Sequence, residues 1–160
     1  MKLWQKVLRE GIFPRFTDEQ LRLVWEAAAN DDPELVQGET VSERLDENVE
    51  WAIRGACFVG YAYWKGECLT DGNVVADRFH RLSEDLKLPG IFPEGSTYCT
   101  LDAFTLWFDD TDRPKVLYHV VEEIDRELER RALTRVAPPE GVTEEEPAAA
   151  VTEELEGVAA

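Results

Sequence analysis

Basic residues are scarce in this chain. Its 160 residues hold 17 Lys and Arg against 34 Asp and Glu, a formal net charge of −17. A balance this acidic repels the phosphate backbones of nucleic acids and the headgroups of anionic membranes, which excludes unassisted binding to either. Cysteine is sparse as well. Cys57, Cys68 and Cys99 are separated by ten and by thirty residues, a spacing that fits neither a disulfide framework nor a zinc knuckle. No apolar run approaches the ~20 residues that span a bilayer. Residues 1–10 contain no apolar stretch of the kind found in a secretory signal. The expected compartment is the reducing cytoplasm. Nucleophile signatures such as Gly-x-Ser-x-Gly are missing, and so is a phosphate-cradling glycine loop: between Gly60 and Gly66 bulky side chains stand where bare backbone would have to face phosphate.

Apolar material is not lacking. Hydrophobic residues make up 44% of the chain and aromatics 10%, enough for one domain with a genuine core. The acidity is uneven. Seven glutamates and no Lys or Arg fall in 137–160, which leaves −10 on residues 1–136. That last segment is Ala, Glu, Pro and Thr with no aromatic residue, and it is expected to be a disordered acidic tail, because it cannot bury enough to offset its ordering entropy. Residues 1–16 run the other way, with Lys2, Lys6, Arg9 and Arg15 against Glu10.

The periodicity is helical. Trp4, Val7, Leu8 and Ile12 make a short stripe, interrupted at Gly11 and Pro14. Thr17 and Gln20 have the form of a capping box, followed by Leu21, Val24, Trp25 and Ala28 on one face. Asn30-Asp31-Asp32-Pro33 stops that helix, and Asp32, Pro33 and Gly38 frame a further short helical turn. Val41, Leu45, Val49, Ala52, Ala56 and Gly60 repeat at three or four residues, so 42–64 is expected to form a central helix buried on most sides. A strand is the rival reading for 56–64. Along that helix the small row Ala52, Ala56, Gly60 allows another backbone to come close. Further stripes run through Val75, Phe79, Leu82 and Leu86, through Leu101, Phe104 and Phe108, and through Leu117, Val120, Val121, Ile124 and Leu128, the last capped at Asp112. The expected fold is all-α: an irregular bundle of five or six helices in one domain, 1–136, ahead of the tail.

Two constellations carry potential metal chemistry. His80 lies between Asp77 and Glu84, and His119 is followed by Glu122 and Glu123, each set within a helical turn or so. A di-metal bundle site needs such pairs facing inward with further glutamates. Both histidines sit about 100° off their apolar stripes, so they are expected to face solvent, with no metal. Asp109, Asp110 and Asp112 suit a hard cation by ligand type, but they equally suit the N-terminus of the next helix, where acidic side chains meet the positive dipole end. No cofactor is expected.

The functional expectation is a cytoplasmic protein-interaction module, such as an adaptor, inhibitor or accessory subunit, whose partner is another protein. A nucleic-acid mimic that blocks a DNA- or RNA-binding protein, and a small metal-dependent hydrolase, are the alternatives. Ile91 and Phe92 are large apolar residues set among Pro89, Gly90, Pro93 and Gly95, which deny them a helix. They either fold back as a lid or project as an anchor. With Trp4 and Trp64 they make up the expected partner contacts.

Overall fold

The computed structural model describes residues 1–136, and the expected tail, 137–160, lies outside the described residues. Met1–Glu127 is one compact unit, and a second unit begins at Leu128. Helix α1 (Leu3–Lys6) does not break at Gly11. It continues through a wide π-helical turn, Val7–Ile12, into a tight 3₁₀ turn, Phe13–Arg15. Gly11 is tolerated because Leu86 takes the space: a Cβ there would meet Leu86 Cδ1 at 2.5 Å. Trp4, Val7, Leu8, Ile12 and Phe13 are all buried as a result.

Helix α2 (Asp18–Ala29) starts as its sequence predicts. The Gln20 N–H donates to Thr17 Oγ1 at 3.1 Å, and the Thr17 N–H donates to Gln20 Oε1 at 2.9 Å. It stops in a Schellman arrangement, with Asp31 in the left-handed region and the Asp32 N–H reaching back to Ala27 O. The expected helical turn over 32–38 does not form. Asp32 Oδ1 instead accepts the Glu34 N–H, and residues 34–36 run as a short parallel bridge beside Ala56. A single hydrogen-bonded turn closes, with the Leu35 N–H donating to Asp32 O at 3.0 Å, but Glu34 O and the Val36 N–H are committed to Ala56, so no helix continues from it.

The main correction concerns 42–64. A single helix is replaced by an antiparallel hairpin, β1 (Val41–Leu45) and β2 (Trp51–Ala56), followed by helix α3 (Phe58–Gly66). The fold is therefore mostly helical but not all-α. The register has an irregularity opposite Ser42 and Glu43 that leaves Arg54 as an extra residue on β2. Within α3, Phe58, Val59 and Ala62 are fully buried, and Cys57 caps it by accepting the Gly60 N–H on its sulfur. The aromatic stretch 56–64 is thus helical apart from its first residues, and the strand lies before it.

The remaining helices match their stripes. α4 (Gly72–Asp85) buries Val75 and Leu82, α5 (Asp102–Asp110) buries Phe104 and Phe108, and α6 (Arg113–Val136) buries Val116, Leu117, Val120 and Ile124. Six α-helices, one π-helical and one 3₁₀ segment, and one two-stranded sheet make up the regular structure of the described residues.

One buried charge ties the N-terminal segment to α6. Glu123, 3% exposed, accepts hydrogen bonds from Arg9 Nε at 2.7 Å, Arg9 Nη2 at 2.8 Å, Gln5 Nε2 at 3.1 Å and Arg126 Nη1 at 3.1 Å. Burial pushes its carboxyl up, but the bonds from Arg9 and Gln5 and the charges of Arg9 and Arg126 outweigh it, leaving the group below its ordinary value of 4.5. The stability it contributes is therefore complete above that value and is lost as pH falls through the depressed folded one. Glu123→Gln is expected to cost about 2 kcal/mol at neutral pH and to flatten the acid limb of stability measured by urea unfolding. An acid limb identical to the wild type's would contradict this role.

Candidate functional site

The residues expected to meet a partner are placed in different settings. Trp4 is buried and stacks on Trp107, with ring centroids 3.7 Å apart and planes within 5°. It belongs to the core, flanked by the His119 ring at 5.6 Å. Ile91 is buried too, which is the fold-back arrangement rather than a projecting anchor. Phe92 is half-buried beside Tyr98, ring centroids 5.3 Å apart. Trp64 is half-buried, with Lys65 Nζ 4.0 Å from its ring centre and that ammonium in turn 2.9 Å from Glu34 Oε1. None of the four offers a large open apolar face.

The candidate metal residues are engaged by other groups. Asp77 pairs with Arg81, Glu122 accepts from the Tyr118 hydroxyl and Glu123 is held as described above. Asp109 Oδ1 accepts the Gly38 N–H at 2.8 Å, and Asp112 stands at the start of α6, its carbonyl accepting the Val116 N–H. Among the described residues no three His, Cys, Asp or Glu side chains converge as metal ligands. Among them, too, no helix is long and apolar enough to cross a membrane.

An unfilled apolar surface lies at the hairpin. Glu43 pairs with Ile53 and Leu45 with Trp51, so all four side chains share one face. At Ile53 that face is buried in the core. One pair further out it is open: Leu45 is 51% and Trp51 66% exposed. The hairpin carries its core-side face past the body that would cover it. Beneath Trp51 is a cleft of about 450 Å3, lined also by Glu43, Thr70, Asp71 and Asn73. Asp71 caps α4 by accepting the Asn73 N–H, and the Glu43 carboxyl packs where a side chain on Gly72 would sit. Both carboxylates thus complement the positive end of α4.

The turn at the tip explains how this hairpin stays hidden in the sequence. Asp46 organises it: Oδ1 accepts the N–H groups of Asn48 at 2.8 Å and Glu50 at 2.9 Å, and the Val49 N–H donates to Asp46 O. The fourth position of such a turn takes a left-handed backbone and ordinarily glycine. Here it is Val49, at φ 61° and 75% exposed. The only turn signal left is an Asp followed two residues later by Asn.

A β-branched residue in the left-handed region is disfavoured by about 1–2 kcal/mol. Val49→Gly is therefore expected to raise stability by about 1 kcal/mol once glycine's own entropy is discounted, read as a higher urea midpoint at unchanged slope. A lower midpoint would contradict the strained turn.

Comparison of the chain with protein-family models, with curated proteins and with solved structures finds no match.

Proposed function

We propose that the protein is a protein-interaction module and that it docks its partner on the overhanging face of the β1–β2 hairpin. One observation carries this reading: the Leu45–Trp51 pair continues the buried face of Ile53 into solvent. Tryptophan in such a position supplies a large contact area with few rotamers to freeze, which is why it recurs as an interface anchor. Val49 adds a third apolar side chain at the tip, held there against its backbone preference, and strain of that kind concentrates at functional positions. Glu47 and Glu50 are exposed beside these residues. The partner surface that complements this face is apolar at its centre and basic at its rim.

The test is a Leu45→Ser/Trp51→Ser double variant. Both side chains are mostly solvated, so stability should stay within about 0.5 kcal/mol of the wild type. A protein that co-purifies with the wild type from the native lysate, and survives a high-salt wash, should be lost with the double variant. Retention of the same protein by the variant would contradict the docking face. A wild-type homodimer that the variant dissolves would replace the foreign partner with a second copy of the chain.

A further inference from the structure

The cleft beneath Trp51 combines an aromatic face with two carboxylates and holds no cation. Glu43, Trp51, Thr70, Asp71 and Asn73 line it, and no Lys or Arg does. The Trp51 ring is open, since the residue is 66% exposed rather than packed into the core. Arg44, next in chain to Glu43, cannot serve the cleft. It pairs with Ala52, so its side chain lies on the opposite face of the sheet from Glu43 and Trp51. Among the described residues no Lys or Arg forms an ion pair with Glu43 or Asp71.

The same parts occur a second time in this molecule with the cation present. Lys65 Nζ lies 4.0 Å from the centre of the Trp64 ring, and Glu34 Oε1 holds that ammonium at 2.9 Å. A cation between an indole face and a carboxylate gains from both, because the ring's quadrupole and the negative charge attract it together. At Trp51 the hairpin supplies the indole and one carboxylate, and the start of α4 supplies the other carboxylate. The end of α4 does not replace the missing cation. A helix terminus carries about half a positive charge, against the two carboxylates, and the Asn73 N–H there already donates to Asp71 Oδ1 at 2.9 Å.

We propose that this cleft receives an arginine side chain of the partner, its guanidinium stacked on the Trp51 indole and hydrogen-bonded to Glu43 and Asp71. This rests on the docking face proposed above, to which Trp51 also belongs, and it gives the partner one defined anchor: an arginine at the edge of an apolar patch. A planar guanidinium stacks on a ring while its edge N–H groups reach carboxylates in two directions. An ammonium is a more strongly hydrated point charge and does neither as well. Charge-assisted hydrogen bonds favour arginine over a neutral side chain of the same shape.

The experiment is an NMR titration of the full chain at neutral pH and matched ionic strength, through the millimolar range. The probes are Nα-acetyl-arginine amide, its lysine counterpart and its uncharged citrulline counterpart. The arginine compound should give saturable shifts at the amides of residues 70–73 and at the Trp51 indole N–H. It should bind at least about threefold more tightly than either counterpart. Glu43→Gln keeps the side chain's shape over Gly72 and should weaken the arginine compound at least about threefold. Asp71→Asn, which retains a capping side chain, should do the same. Leu45→Ser should leave its affinity unchanged, because Leu45 does not line the cleft. A titration without saturation, or equal affinity for the arginine and citrulline compounds, overturns the site. Equal affinity for the lysine compound overturns the choice of arginine. The two readings fail separately: a partner retained by the Leu45→Ser/Trp51→Ser variant contradicts the docking face, whereas these titrations contradict the arginine cleft alone.

Discussion

Residues 34–40 lie directly on the joint between β2 and α3, and two positions without side chains make that approach possible. A Cβ on Gly55 would sit 2.8 Å from Val36 Cγ1 and 3.0 Å from Glu34 O, and one on Gly60 would sit 2.5 Å from Thr40 O. Between those glycines, hydrogen bonds fasten the crossing chain: Ala56 N–H to Glu34 O, Val36 N–H to Ala56 O and Cys57 N–H to Thr40 O. Side chains secure it from the other side. Arg113 donates to Asp31 Oδ1, Asp32 O and Leu35 O, and Gln37 Nε2 donates to Phe108 O and Thr111 O. The proposed docking face hangs from this crossing, because Val41, where the hairpin begins, follows Thr40 directly.

Much of the helical frame was legible from local chemistry. The Thr17–Gln20 capping box, the stop after Ala29 and the stripes of α4, α5 and α6 each rest on neighbours within one or two turns. The hairpin was not legible, for two physical reasons. Its turn has Val49 where glycine would announce a left-handed residue, and the extra residue Arg54 breaks the alternation along β2. Val41, Leu45, Ala52 and Ala56 then fall by coincidence at helical spacing. The row Ala52, Ala56, Gly60 is not a helix face, since Ala52 and Ala56 lie on β2, and of the three Gly60 alone, on α3, has no side chain and meets an approaching carbonyl. The approaching chain is the upstream Thr40 carbonyl, a contact between residues whose proximity only the tertiary fold creates.

The candidate surfaces were harder still to read. The sequence suggests Trp4 and Ile91 as partner contacts, one from a short apolar stripe and one as either lid or anchor, and both are buried, Trp4 by a stacked Trp107 more than a hundred residues away. Leu45 and Trp51 look like core residues and are not, since their exposure depends on where the hairpin outruns the body. Gly38 and Asp109 meet only through the 34–40 crossing, so the hydrogen bond between them leaves no trace in local spacing.

The most direct measurement is the equilibrium stability of Gly60→Ala. Gly60 lies within helix α3, where alanine is intrinsically favoured over glycine by about 1 kcal/mol. Helix propensity alone therefore makes the variant more stable. The backbone crossing makes it less so, because the added methyl group meets a carbonyl that is fixed by its own hydrogen bond and has no rotamer to change. Urea unfolding should show a loss of at least about 2 kcal/mol. A variant as stable as the wild type, or more stable, would contradict the central place given to the contact between Thr40 and Gly60.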